Sequence, residues 1–97
     1  MTWFVYIILC SDDSLYTGIT NDVQRRFEQH AGGRGAKYFN GRRPERFVYL
    51  ETGHDRSSAT RRELRLKKLS RPQKTRLIAS EANRIDDFLH LLPGTPT

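Results

Sequence analysis

Apolar residues run almost unbroken from Trp3 to Cys10, and a second extended run follows from Leu15 to Thr20, with the polar tetrad Ser11 to Ser14 between them. A run that is apolar at every position fits a central strand covered on both faces. Two extended runs around a short polar break predict a β-hairpin. Thr20, Asn21 and Asp22 then offer cap oxygens for a helix whose apolar stripe is Val23 and Phe27. Ala31 to Pro44 holds four glycines and ends in proline, which predicts a loop with one helical turn around Ala36 to Phe39. Glu45 to Thr52 reads as a third strand, with Phe47 and Tyr49 on one face and Val48 and Leu50 on the other. Gly53-His54-Asp55 ends it, and Asp55, Ser57 or Ser58 caps a second helix from Ala59 to about Leu69. Ser70 and Pro72 start another helix, carrying Leu77 and Ile78, with Lys74 on its exposed side. Asn83 to Leu92 is a last amphipathic segment with Ile85, Phe88, Leu89 and Leu92 packed, and 93–97 is a frayed tail.

These elements predict an α/β fold: a three-stranded antiparallel sheet, with the hairpin and the third strand flanking the central strand, covered by helices. At 97 residues and 36% hydrophobic content, one domain over 1–92 exhausts the core-forming residues. One cysteine rules out an internal disulfide scaffold, Cys10 is expected to pack rather than react, and no Cys/His cluster suggests zinc. The apolar run at the start lacks a basic leader and is too short to span a bilayer, so a cytoplasmic protein with no membrane partner is expected. His54 and His90 are expected on the surface. No internal repeat or low-complexity segment is visible.

Charge sharpens this picture. Residues 31–76 hold fourteen of the seventeen Lys and Arg but four of the eleven acids, while the segments on either side are slightly acidic. A block this basic suits a polyanion, and nucleic acid is the commonest one; its alternative is a generic solvated face. Within it Lys37, Arg42 and Arg43 can reach phosphates, Lys67 adds charge on the second helix, and Tyr38 or Phe39 could stack on a base. One of those two aromatics is expected inward and the other outward.

Two details stand out from ordinary core patterning. On the first helix Val23, Arg26, Phe27 and His30 share one face, so an arginine and a histidine sit among apolar anchors. Either something there needs them, or Arg26 snorkels and His30 complements the helix C-terminus. In the hairpin, a three-residue connection Ser11 to Asp13 would set Ile8 opposite Tyr16 and Tyr6 opposite Gly18, bringing both phenols to one face. A two-residue turn would separate them.

Phe4-Val5-Tyr6, Tyr16-Thr17-Gly18, Arg26 eight residues beyond Gly18 and His30 four further on together resemble the GIY-YIG nuclease superfamily, most closely its small single-domain bacterial branch. The likeness runs from Trp3 to about Leu77. It departs at Phe4, where the family name has glycine, and at Val5 and Thr17; both tyrosines and Gly18 match. The resemblance implies the same three-stranded architecture. It also implies that Glu63, in Ala59-Thr-Arg-Arg-Glu on the inward face of the second helix, is the principal ligand of a divalent metal. The alternative for Glu63, read from residues alone, is an ion pair with Lys67 one turn on. An asparagine ligand carried late by some members has no secure counterpart, since Asn83 lies beyond the matched region.

The expected function is metal-dependent hydrolysis of phosphodiester bonds in DNA, with low sequence specificity and a structured or branched substrate, or recruitment by a protein partner, left open. A single carboxylate ligand fits magnesium, with manganese as a substitute. Tyr6, Tyr16, Arg26, His30 and Glu63 are the expected catalytic set, lining one concave surface at the sheet's exposed face. Lys37, Tyr38, Arg42, Arg43 and Lys67 are expected to hold the substrate. The alternative is a catalytically silent nucleic-acid-binding module with the same basic groove.

Overall fold

A computed structural model of the chain describes residues 2–92, apart from the side chain of Leu91; the expected tail, 93–97, lies outside the described residues. Strands β1 (Trp3–Cys10), β2 (Leu15–Thr20) and β3 (Pro44–His54) form one antiparallel sheet in the order β2-β1-β3. The run that is apolar at every position is the central strand, as its pattern requires. Its odd-numbered side chains Val5 and Ile7 enter one core with Tyr49, Ala59 and Leu66. Its even-numbered Tyr6, Ile8 and Cys10 enter another with Val23, Phe39, Phe47 and Leu50. Helices α2 (Arg56–Lys67) and α3 (Arg71–Ile78) serve the first core. Helix α1 (Val23–Ala31), a 3-10 turn at Lys37–Phe39 and a C-terminal 3-10 helix at Ile85–Leu91 serve the second. Among the described residues no helix is long and apolar enough to cross a membrane.

The hairpin has the three-residue connection. Cys10 N–H donates to Ser14 O at 2.9 Å and Asp13 N–H to Cys10 O at 2.9 Å, with Asp13 at φ 67°. Asp12 fixes the turn by accepting from both the backbone and the hydroxyl of Ser14. A tight turn closed by one left-handed residue suits a three-residue hairpin, and aspartate tolerates that conformation better than most. Register follows: Ile8 lies opposite Tyr16, and Tyr6 opposite Gly18.

β3 departs from simple alternation. The pairing steps from Ile7–Tyr49 to Ile8–Phe47, leaving Val48 as an extra residue. This bulge puts Val48 and Tyr49 on the α2 side and sends Phe47 and Leu50 together to the α1 side. The expected grouping of Phe47 with Tyr49 is therefore wrong, because alternation holds only where no residue is inserted. Nor does Gly53 end the strand: at φ 84° it sits in a second bulge, and His54 still pairs with Trp3.

Helix starts follow their caps. Asp55 and Ser58 form a reciprocal capping box, so α2 begins at Arg56, three residues earlier than expected, and stops at Lys67. Ser70 and Gln73 do the same for α3, with proline in the first turn. Lys74 is half-buried rather than exposed, and that burial, with Lys67 and Arg71 nearby, lowers its ammonium pKa. Leu89 is 40% exposed, contrary to expectation, because its segment winds as a 3-10 helix. Three residues per turn keep Ile85 and Phe88 on the core side and rotate Leu89 away. His90 is exposed, as expected, whereas His54 is half-buried. Its Nε2 lies 2.5 Å from Glu51, whose carboxylate also accepts from the Tyr49 hydroxyl and from Arg62 Nε at 3.1 Å. Against the upward pull of burial, those three partners hold the Glu51 carboxyl below its ordinary pKa.

Asn83 secures the bulged strand. Its carboxamide oxygen accepts from Leu50 N–H and Ile85 N–H, and its nitrogen donates to Val48 O and Ile78 O, all within 2.9–3.1 Å. Every hydrogen-bonding position of one side chain is thus used on backbone. Replacing Asn83 by alanine strands four polar groups and is expected to cost about 2 kcal/mol, a fall of roughly 10 °C in melting temperature. The opposite outcome is expected at Thr17, whose buried hydroxyl has no hydrogen-bond partner among the described residues. Thr17→Val keeps the shape, removes the unpaired group and should raise stability by about 1 kcal/mol. Denaturant melts of the two variants beside the parent check both signs.

Candidate active site

Helix α1 starts where Asp22 accepts from the backbone N–H of Arg25 at 3.1 Å. That cap fixes the phase that turns Val23, Phe27 and His30 onto the even-numbered face of β1. His30 is 1% exposed, and Tyr6 beneath it is fully buried. The Tyr6 hydroxyl lies 2.9 Å from His30 Nε2, and the backbone N–H of Ala36 points at His30 Nδ1 at 3.3 Å. A backbone N–H can only donate, so Nδ1 is the accepting nitrogen and Nε2 carries the proton that Tyr6 receives. Burial, reinforced by Arg26, lowers the His30 pKa to about 4, so the ring is neutral at physiological pH.

Room for this pair is built by glycines. A Cβ at Gly18 would fall 2.5 Å from the Tyr6 hydroxyl oxygen, and one at Gly35 would fall 2.0 Å from His30 Nδ1. Phe39 closes the site from above, its ring 4.2 Å from that of His30 and 4.9 Å from that of Tyr16. Tyr16 is half-buried, 6.3 Å from the Tyr6 ring and 5.3 Å from the His30 ring.

Arg26 and Glu63 supply the charge. Arg26 donates to Gln29 Oε1 at 3.0 Å and lies beside both phenols. Burial, followed by the neighbouring Tyr16, pushes the Tyr6 phenol far above its ordinary pKa, and Arg26 opposes the shift. For Tyr16, burial raises the pKa, Arg26 lowers it and Glu63 raises it further. Glu63 is thus near enough to act on both phenols, although its helix packs against the other face of the sheet. Its side chain is 18% exposed and pairs with Lys67 at 3.5 Å. Lys67 stands 6.0 Å from the Tyr16 ring. Among the described residues no three His, Cys, Asp or Glu side chains gather at one point. A metal held here would have Glu63 as its one carboxylate and would keep most of its waters.

The five expected catalytic side chains are brought together, but not at an open face of the sheet. Tyr6 and His30 form a buried floor, because α1 and the Lys37–Phe39 turn cover that face. Tyr16, Arg26 and Glu63 stand above the floor with some solvent access. Of the expected substrate contacts, Tyr38 stacks 5.1 Å from Tyr16 and Phe39 is the inward aromatic. Arg42 lies 4.0 Å over the Tyr38 ring and pairs with Asp12 at 3.0 Å, so it is partly committed within the protein. Lys37, Arg43 and Lys67 are exposed. Asn83 is no ligand, since its carboxamide is consumed by backbone. Sequence reasoning missed Gln29, Gly35 and the Ala36 N–H. Gly35, five residues after His30 in a glycine-rich stretch, was the one legible signal for a close approach to that ring.

Because the folded protein resists protonating His30, it binds fewer protons than the unfolded chain between about pH 6.5 and 4. Stability should therefore fall as pH drops through that window. The His30 ring should keep the NMR shifts of a neutral imidazole, protonated at Nε2, at pH 5.5. Titration of that ring near 6.5 would show that Tyr6 and Ala36 do not hold it as described.

Residues 2–76 match the GIY-YIG catalytic domain. The chain is 48% identical over 95 residues to the UPF0213 protein YhbQ of Escherichia coli (strain K12), covering 98% of this chain and 91% of that one. It is 44% identical over 85 residues to a UPF0213 protein of Clostridium perfringens, covering 88% and 91%. The solution NMR structure of the UPF0213 protein BH0048 from Bacillus halodurans superposes with a TM-score of 0.55 at 40% identity, covering 99% of this chain and all of that one. The names of these relatives state no activity, whereas GIY-YIG proteins are generally nucleases that use divalent metals. With the match spanning residues 2–76, most of the sequence, the chain belongs to the GIY-YIG catalytic-domain family.

Proposed function

We propose that the protein is a divalent-metal-dependent endonuclease that hydrolyses phosphodiester bonds in DNA with little sequence preference. The observation that carries this reading is the convergence of two phenols, a guanidinium and a carboxylate above a neutral, immobilised histidine. Hydrolysis requires a water oriented in line with the leaving oxygen, neutralisation of charge on the phosphoryl oxygens, and a proton for the departing group. Glu63 would hold the metal, which when bound supplies positive charge to the phosphate and lowers the pKa of its waters.

The other roles fall to this chain's own groups. Arg26 contacts the scissile phosphate through a forked pair of N–H bonds that lysine could not reproduce. Gln29 fixes one edge of that fork. Tyr16, the more accessible phenol, orients the attacking water, whose proton passes to solvent at the open rim, and the departing oxygen takes its proton from solvent there. Tyr6 is a positioning residue: its buried oxygen, receiving the His30 proton, holds the ring against which Tyr16 and Arg26 are set. Lys67, exposed beside Glu63 at the rim, would approach a phosphate if its carboxylate partner were taken up by a metal. Lys37 and Arg43 add charge that is indifferent to sequence.

A second reading, a binding module without cleavage, draws on the Glu63–Lys67 ion pair, which already satisfies the carboxylate without a metal. Glu63→Gln separates the two. For a metal ligand, magnesium-dependent nicking should collapse while the melting temperature is retained and DNA binding persists or tightens, one negative charge having left a basic site. If Glu63 serves only the ion pair, the substitution should cost about 0.2–0.5 kcal/mol of stability and nothing else. Equal nicking by parent and variant removes Glu63 from the mechanism, and no nicking by the parent on single-stranded, duplex or branched DNA leaves the binding module.

A further inference from the structure

At the end of the sheet where β2 passes into α1, a cavity of about 390 Å³ opens beside Arg26. Trp3, Thr20, Arg25, Arg26, Gln29 and Arg56 line it. Three of these six are cations, and the Arg56 guanidinium stands 5.7 Å from the Trp3 ring centroid. Among the described residues neither Arg25 nor Arg56 takes part in an ion pair. Asp22, which also borders the cavity, is turned to the helix start, where it accepts from the Arg25 backbone. Arg26 borders this cavity and also acts on both phenols, so one side chain links the cavity to the phenol cluster.

The chemistry of the lining is that of a nucleotide: an aromatic face and a guanidinium plane for a base, and arginines for a phosphate. The volume lies within the range of small-ligand sites. We propose that this cavity is a subsite for the nucleotide next to the scissile phosphate, with its base against the Trp3–Arg56 pair and its phosphate on Arg25. The inference rests on the nuclease reading for its direction, and it narrows the substrate class. A base in a duplex has its faces covered by neighbours and its edge paired, so it cannot present itself to Trp3 without leaving the stack. The preferred substrate is therefore an unpaired strand, either free or as the single-stranded arm of a branched molecule. Sequence indifference follows, since every base has a stacking face.

Trp3 is the only tryptophan in the chain, so its emission reports on this cavity alone. In chelator, so that no strand is cut, the protein is titrated with a ten-nucleotide thymidine strand, an abasic strand of the same length and a blunt ten-base-pair duplex, with binding followed by the anisotropy of a labelled end. The thymidine strand should quench Trp3 on saturation, whereas the abasic strand and the duplex should bind without quenching. Arg56→Lys keeps the charge but loses the plane; it should weaken the thymidine strand about 5-fold and leave the abasic strand unchanged. Equal quenching by the abasic strand or the duplex, or saturation by thymidine with no change in emission, overturns the subsite. A magnesium-dependent nicking assay is run in parallel. Quenching without nicking keeps a base-binding cavity but overturns the nuclease and with it the placement beside a scissile phosphate, whereas nicking without quenching overturns the subsite alone.

Discussion

A phenol and an imidazole joined at 2.9 Å inside an apolar core form the constraint on which the rest of the site depends. Neither polar group can be left unpaired there without losing several kcal/mol of hydration. Each end of the pair is therefore served: His30 by the Ala36 backbone, Tyr6 by His30 and by Arg26. The lack of side-chain volume at Gly18 and Gly35 follows from the same requirement, since either Cβ would collide with the pair. So does the closeness of the glycine-rich loop, which must return to α1 to deliver its Ala36 N–H. Its 3-10 turn then seats Phe39 over the imidazole and Tyr38 against Tyr16. One buried hydrogen bond thus ties together the hairpin, the first helix and the following loop.

The electrostatic asymmetry of the site grows from that burial. The floor holds neutral groups whose pKa values are driven apart, Tyr6 upward and His30 down to about 4, so neither exchanges a proton near neutrality. Charge is confined to the rim, where Arg26, Glu63 and Lys67 retain access to solvent. A polyanion reaching the rim meets fixed charges above a floor that cannot titrate in response. Pre-set charge of this kind costs no reorganisation when charge develops on a substrate.

Much of this was legible in the sequence because it depends on local counting. Helical phase sets Arg26 and His30 on the Val23 face without knowledge of distant contacts. Tyr6, by contrast, meets Gly18 only for a three-residue connection, which the sequence left open against a two-residue turn and the structure supplies. The order of the strands follows from the run that is apolar at every position. What was not legible came from insertions and from tertiary burial. Val48 is an ordinary β-residue by type, and nothing in its neighbours announces that the ladder skips it. Leu89 and Lys74 were misplaced because their exposure is set by a 3-10 winding and by nearby chain, not by their own spacing. The burial of His54 depends on its tertiary contacts with Glu51 and Ser58, which its own spacing does not reveal. The depth of Tyr6 and His30 was hidden for the same reason, since the cover over them comes from a glycine-rich loop with no strong pattern of its own.

Asn83 has a consequence beyond the stability of β3. An outer strand normally offers a row of unpaired amides and carbonyls to any extended chain that drifts alongside. Here the groups of Val48 and Leu50 that face outward are occupied by one carboxamide, and the Arg84 N–H takes the Leu50 carbonyl at 2.8 Å. An intruding strand would have to break these bonds before making its first. The middle of β3 is in this way already paired, and a second copy of the chain would have to displace Asn83 and Arg84 before it could extend the sheet there.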